Sequence, residues 1–216
     1  MPANPQPCNR VKPALDTLVQ NNALLWRGNS HRTDSNAAVD TGIEPLNDFL
    51  PTGGWPANSM VELVVEQWGI GELQVLLPLM SHLSQQHQRL VLIAPPYLPY
   101  APALLSAGIQ LDHLVIIDNR IAPEDIWWAS EKILRNEGCA LVLIWPKKPD
   151  YHHIRRLQLA ADAGNSLGIL MHRGLPTDTP VALRLKLSPC DRGISMRILK
   201  SRFSWKRDAQ IILPIP

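Results

Sequence analysis

Cysteine is scarce in this chain: 216 residues hold three, Cys8, Cys139 and Cys190. An odd number at wide spacing excludes a disulfide scaffold, and none has the close Cys/His neighbours of a zinc site. A reducing cytoplasm is the expected compartment. Long apolar runs are missing as well. Positions 1–20 have no continuous apolar core behind a basic start, and no run elsewhere nears the roughly 20 residues that span a bilayer. Neither secretion nor membrane insertion is expected. A large charge of one sign is absent too: 21 Lys and Arg face 19 Asp and Glu, for a net charge of +2. The chain as a whole is no polycation, so any charged partner must be recognised locally. Internal repeats of about 20 to 50 residues, low-complexity blocks and a persuasive Ser-His-Asp spacing are also lacking.

What is present is a hydrophobic content of 45%, enough in a chain this long to bury a full core. The first forty residues mix proline, asparagine and small residues around one apolar island, Ala23-Leu24-Leu25-Trp26. They read as an extension with an anchoring point or as an irregular cover on the core. From Met60 the pattern changes to short β-branched apolar runs alternating with longer helical stretches, the rhythm of βαβ units. Strands are predicted at 60–65, 90–94, 114–117, 140–145 and 167–171, with helices at about 73–86, 101–107, 123–136 and 151–163. Runs such as Leu141-Val142-Leu143-Ile144 have no polar face and fit parallel strands covered on both sides. Stretches 181–187 and 194–203 then form a predicted antiparallel hairpin. Its Leu183, Leu185 and Leu187 alternate with Arg184 and Lys186, and Met196 and Ile198 with Arg197. One face is expected to turn inward and the other to carry positive charge into solvent.

The loop after the first core strand reads Val65-Glu66-Gln67-Trp68-Gly69-Ile70-Gly71-Glu72-Leu73. A glycine-rich lead-in at 41–56, a strand, a glycine-containing loop and a helix occur in that order in RecA-type ATPases, which this arrangement resembles. A working phosphate loop reads G-x-x-x-x-G-K-[ST], its glycines admitting backbone N–H groups to the phosphates, its lysine neutralising charge, its hydroxyl binding Mg²⁺. With Gly71 as the second glycine, Glu66 replaces the first, Glu72 the lysine and Leu73 the hydroxyl residue. Exchanging Lys for Glu turns attraction into repulsion worth about 4 kcal/mol per charge pair near 4 Å at an effective dielectric of 20. The loop therefore holds no nucleotide, no cofactor is expected, and Glu72 is expected to complement the dipole of the helix that follows. Gly69 and Gly71 alone would equally suit an ordinary turn. Trp68 either fills the space a nucleotide would take or faces a partner. Asp118 ends the third strand as a turn or capping residue, and the fourth strand ends at Trp145-Pro146-Lys147-Lys148 without a carboxylate.

Gly69-Ile70-Gly71-Glu72-Leu73-Gln74, Leu76-Leu77-Pro78-Leu79 and Leu92-Ile93-Ala94-Pro95-Pro96 resemble the ImuA family, a RecA-like and SulA-like group of accessory proteins in bacterial damage-induced mutagenesis. Ala160-Ala161-Asp162-Ala163-Gly164-Asn165-Ser166-Leu167-Gly168 is similar to the matching helix, turn and strand of the division inhibitor SulA. The resemblance covers roughly residues 24 to 203, and the lead-in favours ImuA, since SulA-type chains begin near the first core strand. It implies an α/β fold with a RecA-like core, a mostly parallel sheet flanked by helices and a C-terminal antiparallel β-hairpin. It divides the chain into an extension at 1–40, a RecA-like domain at 41–207 and an apolar tail at 208–216. It further implies a cytoplasmic, SOS-induced, non-catalytic protein of translesion DNA synthesis. Its partners would be an ImuB-like polymerase-related protein, an error-prone replicative-type DNA polymerase and RecA. The SulA side of the resemblance implies instead an inhibitor of the tubulin-like division protein.

Other residues suggest contact surfaces. Adjacent histidines on a helix diverge by about 100°, so His152 and His153 belong to a solvated surface and not to a metal site. Cys139 has no nearby base and reads as a buried structural thiol. Of Trp127 and Trp128 only one ring can enter the core, leaving the other for a partner or for edge packing. Arg184, Lys186, Arg197, Lys200, Arg202, Lys206 and Arg207 concentrate positive charge near the C-terminus, with Phe203 and Trp205 interleaved. That pattern suits DNA phosphates and unpaired bases, an acidic protein, or a merely soluble face.

Overall fold

The structure, a computed structural model, describes residues 37–174, 179–203 and 209–214. The extension at 1–36, including the apolar island, lies outside the described residues, as do Trp205, Lys206 and Arg207. The first described element, β1 (Ala38–Val39), pairs antiparallel with β2 (Trp55–Pro56), and α1 (Glu44–Phe49) lies between them in sequence. The central sheet begins with β3 (Met60–Val65), followed by α2 (Leu77–Gln85) and β4 (Arg89–Ile93). Next come α3 (Ala101–Ser106), a single 3₁₀ turn at Leu111–His113, β5 (Leu114–Ile117), α4 (Pro123–Leu134) and β6 (Cys139–Ile144). The chain continues through α5 (Tyr151–Ala163), β7 (Leu167–Arg173), β8 (Leu183–Cys190), β9 (Gly193–Ser201) and β10 (Gln210–Leu213).

Eight strands form one sheet in the order β10-β9-β8-β3-β7-β6-β4-β5. The strands from β3 to β8 run parallel to their neighbours, and β9 and β10 add antiparallel pairs at one end. The architecture is thus a mixed α/β fold with a mostly parallel sheet and a C-terminal antiparallel hairpin. Odd and even positions of the strands serve different layers. Val61, Leu63, Leu141, Leu143 and Ile169 join one core with Leu76, Leu79 and Met80 around α2. Met60, Val142, Ile144 and Leu170 join a second with Ile126 of α4 and Ile154 and Leu157 of α5. Helices on both faces explain why the strands lack a polar side.

Local signals set the helix starts. Pro123 opens α4 with Glu124 and Asp125 in the first turn, where acids oppose the positive helix end. Asp150 caps α5 by accepting a hydrogen bond from the His153 backbone N–H at 3.1 Å. The turn after α5 is close-packed: a Cβ on Gly164 would stand 2.0 Å from the Leu134 carbonyl oxygen, and one on Gly168 2.2 Å from Met60 Sδ. Between them the Ser166 hydroxyl donates to the Cys139 carbonyl at 2.6 Å. The Asn58 side-chain amide donates to Asn165 Oδ1 at 3.1 Å. Those contacts tie α5 to the starts of β3, β6 and β7.

Two expectations are corrected. The helix predicted at 73–86 begins only at Leu77, because residues 71–76 fold as turns, with the N–H of Gln74 on the Gly71 carbonyl and that of Leu76 on the Leu73 carbonyl, each at 2.9 Å. The apolar tail expected at 208–216 contains the edge strand β10, whose Leu213 is buried. No described helix is long and apolar enough to cross a membrane.

Candidate interaction surface at the carboxyl edge of the sheet

The loop after β3 is closed by its own carboxylate. Both oxygens of Glu72 accept from the Gly69 backbone N–H at 3.1 Å, and Glu72 is buried. Glu72 therefore caps its own loop and not the N-terminus of α2, four residues further on, which corrects the expected dipole role. Gly69 and Gly71 take φ of 83° and 95°, the left-handed region this closure requires. Leu73, Ile70 and Trp68 lean on the first core. Glu66 stands at the exposed end of β3, paired with Lys186 at 2.7 Å. That ion pair and a hydrogen bond from Ser188 hold the Glu66 carboxyl below its usual range. To serve a phosphate, the Gly69 backbone N–H would have to be taken from Glu72, which offers its own negative charge in return.

Beside this loop a cleft of about 1130 Å³ opens over the carboxyl ends of β3, β4, β6 and β7, where open α/β sheets bind ligands. Trp68, Trp145, Ile126 and Leu199 give it apolar walls, and Lys147, Arg173, Lys186, Arg197 and Glu66 line it as well. The Arg173 Nε donates to the Glu66 carbonyl at 3.2 Å. The Trp145 indole is 7% exposed, and its N–H has no acceptor among the described residues, as is also true of Trp55 deeper in the core. Next to the cleft, the segment Pro95-Pro96-Tyr97-Leu98-Pro99-Tyr100 leaves β4 and carries Tyr97, Leu98 and Tyr100, each more than 70% exposed.

The C-terminal hairpin is less cationic on its surface than its alternation suggests. Leu183, Leu185 and Leu187 turn inward as expected, but Arg184 is buried beside Glu62 of β3, its register partner, with Nε on Glu62 Oε2 at 2.5 Å. His172 of β7 meets Glu62 Oε1 at 2.7 Å, and the Thr179 hydroxyl donates to Oε2 at 2.9 Å. Burial pushes the Glu62 carboxyl up, yet the hydrogen bonds and charges of His172 and Arg184 outweigh it and hold it below its ordinary value. Lys200 donates from Nζ to the Thr179 carbonyl at 2.5 Å. Arg184 therefore does not reach solvent, which corrects its placement among contact residues, and Lys186 is held by Glu66. Arg197 and Arg202 are exposed, the latter donating to the Pro180 carbonyl at 3.2 Å, and Phe203 is half-buried.

The remaining candidates fall at separate places. Trp127 is half-buried and stacks on His153 at 4.6 Å between ring centroids, while Trp128 is 62% exposed. Asp118 binds the Arg120 backbone N–H at 2.9 Å and its guanidinium at 3.0 Å, a turn residue. His153 is occupied by Asp150, and no group of three or more metal-ligating side chains occurs among the described residues. Burial raises the Cys139 thiol to about 11.

Sequence reading missed Glu62, His172 and the cleft. A signal for the first two was there, because a carboxylate and a histidine inside strands covered on both faces need partners.

Comparison with known proteins agrees with half of the resemblance read from the sequence. The family model described as "Cell division inhibitor SulA" matches residues 59–168. Among curated proteins, the cell division inhibitor SulA of Serratia proteamaculans (strain 568) is 30% identical over 145 residues, 66% of this chain and 82% of that protein. That of Serratia marcescens is 27% identical over 144 residues, 67% of this chain and 79% of that one. The crystal structure of SulA from Pseudomonas aeruginosa is similar at a TM-score of 0.44 and 22% identity, covering 53% of this chain and 98% of that one. The matched region runs from the start of β3 through the Gly164–Gly168 turn, so it includes the self-closed loop, the segment with Tyr97 and Tyr100 and both tryptophans of α4; the chain belongs to the SulA family.

Proposed function

We propose that this protein is a non-catalytic division inhibitor of the SulA kind, acting by binding the tubulin-like division protein. The observation that carries the reading is the loop after β3, where Glu72 takes the Gly69 N–H that a phosphate would need. A chain of this family with that loop has surfaces to offer and no phosphate site. The contact surface is the rim of the carboxyl edge, where Tyr97, Leu98 and Tyr100 stand in solvent. Tyrosine and leucine exposed together on a proline-stiffened segment bury much area at low entropic cost when a partner covers them. Compartment and regulation follow the resemblance: cytoplasmic and induced by DNA damage.

The test is induced expression in dividing bacteria with a parallel pull-down of the division protein. Filamentous cells and capture are expected, both lost in the Tyr97→Ser, Leu98→Ser, Tyr100→Ser triple variant at unchanged melting temperature. Normal division together with no capture by the wild-type chain overturns the reading.

A second reading is favoured by a separate observation. The lead-in with β1, α1 and β2, and the three strands β8 to β10, lie outside the matched residues 59–168. A lead-in of that kind is what the ImuA resemblance implies. On this reading the chain is a RecA-like scaffold of translesion synthesis, holding an ImuB-like protein and an error-prone polymerase, with RecA as a further contact. Arg197, Arg202 and Phe203, together with Trp205, Lys206 and Arg207, would then supply contacts to a partner or to DNA, and Lys200 would keep its internal bond. Capture of the ImuB-like protein without the division protein selects it over the first.

A further inference from the structure

We propose that the cleft over the carboxyl ends of β3, β4, β6 and β7 is a docking groove for an acidic protein segment carrying an apolar anchor residue. The inference rests on the reading that the chain acts by binding proteins, and it names the chemistry that one site selects.

Three observations converge. The cleft measures about 1130 Å³, at or above the upper end of small-molecule pockets, which run from about 300 to 1000 Å³. Four cations, Lys147, Arg173, Lys186 and Arg197, line it against one carboxylate, Glu66. Lys186 is neutralised by Glu66 at 2.7 Å, but Lys147 and Arg197 are exposed and have no acidic partner among the described residues. An extended chain supplies what each wall lacks: carboxylates for Lys147 and Arg197, and an aliphatic or aromatic side chain for the wall of Trp68, Ile126 and Leu199.

A nucleic acid fits the same walls less well. Its affinity comes from many phosphate contacts along a continuous cationic track, whereas this cleft is walled mostly by apolar residues and has the carboxylate of Glu66 among its lining. A segment with one anchor and flanking acids offers charges to Lys147 and Arg197 and an apolar group to Trp68, Ile126 and Leu199.

The full chain, immobilised, is used to select from a random twelve-residue peptide library, and the enriched peptides are titrated by fluorescence anisotropy. Enriched sequences are expected to set two or more Asp or Glu around a Leu, Phe or Trp. Lys147→Glu and Arg197→Glu are each expected to weaken binding by about tenfold or more without moving the melting temperature, since neither side chain bears on the core. No enrichment, enriched peptides without acids, or affinities unchanged in both variants overturn the proposal. So does saturable binding of a twenty-residue oligothymidine that the same variants abolish while peptide binding persists. Division-protein capture by the wild-type chain is measured alongside: its failure sinks the inhibitor reading, whereas the cleft is decided by the variants.

Discussion

Glu62 shows what one residue can demand of its neighbours. Its carboxylate is fully buried and satisfied from three directions, by His172, Arg184 and Thr179. Removing one member of a buried ion pair strands the other, at a typical cost of about 3 to 5 kcal/mol, a large share of a domain's stability of about 5 to 15 kcal/mol. Glu62→Leu is therefore expected to lower the urea midpoint severely. The Glu62→Leu, Arg184→Met double variant should regain most of that loss, because an apolar pair replaces an orphaned charge. The sign of the pH dependence follows from the same contacts. A carboxyl held below its ordinary value in the fold stabilises the protein above that value, and the contribution is lost as pH falls through the folded pKa. Wild-type stability should thus decline on acidification below about pH 4.5, and the double variant should lack that component. At Glu72, titration with Mg-ATP to millimolar concentration is expected to leave tryptophan emission, including that of Trp68, unchanged; a saturable change would contradict the closed loop. At Cys139, a thiol raised to about 11 should resist alkylation at pH 8 until the chain unfolds, read by mass spectrometry of the labelled peptide.

Elements were legible wherever covalent pattern alone decides them. The strands β3 and β5 and the helix α5 fall where the apolar runs and the helical pattern put them, since a run without a polar face has few other ways to be buried. The start of α2 was not legible, because it depends on Glu72 bonding backward to Gly69, a choice that periodicity does not encode. β10 escaped because four residues between polar and proline-rich flanks make no pattern of their own and form a strand only when β9 offers its edge. Alternation in the hairpin separated inward leucines from cations correctly, yet it could not tell a face open to water from one facing Glu62 across the sheet. The cleft was invisible for a further reason: its walls come from strand ends far apart in the chain. The Gly164–Gly168 turn carries the sharpest element-scale prediction. Gly164→Ala would press a Cβ onto the Leu134 carbonyl and Gly168→Ala onto Met60 Sδ. Gly168→Ala should cost about 1 to 3 kcal/mol as an overpacked site that a flexible methionine can partly relieve. Gly164→Ala meets backbone, so its cost in thermal unfolding should be the larger.

Across the whole molecule, the proposed reading displaces function from the place where a nucleotide would sit to the rim around it. Exposed aromatic residues, unpaired cations and an apolar cleft all lie at the carboxyl edge of the parallel strands, whereas the opposite edge is fastened by the Gly164–Gly168 turn. Division inhibition as proposed would draw on that edge, so the Tyr97, Leu98, Tyr100 triple variant should disturb it, while exchanges in the turn should act only through stability.

The position of β3 has a consequence in time. It is the first strand of the central sheet to be made, but both of its neighbours, β7 and β8, are made long after it, and Glu62 waits 122 residues for Arg184. At ribosomal speeds of about 5 to 20 residues per second that is a delay on the order of ten seconds, during which an apolar strand with a lone carboxylate has no partner. The nascent chain stays open to chaperones and proteases until its last strands emerge. The amount of finished protein in a cell should therefore respond steeply to translation rate and to any premature stop, even one that spares the whole family-matched region.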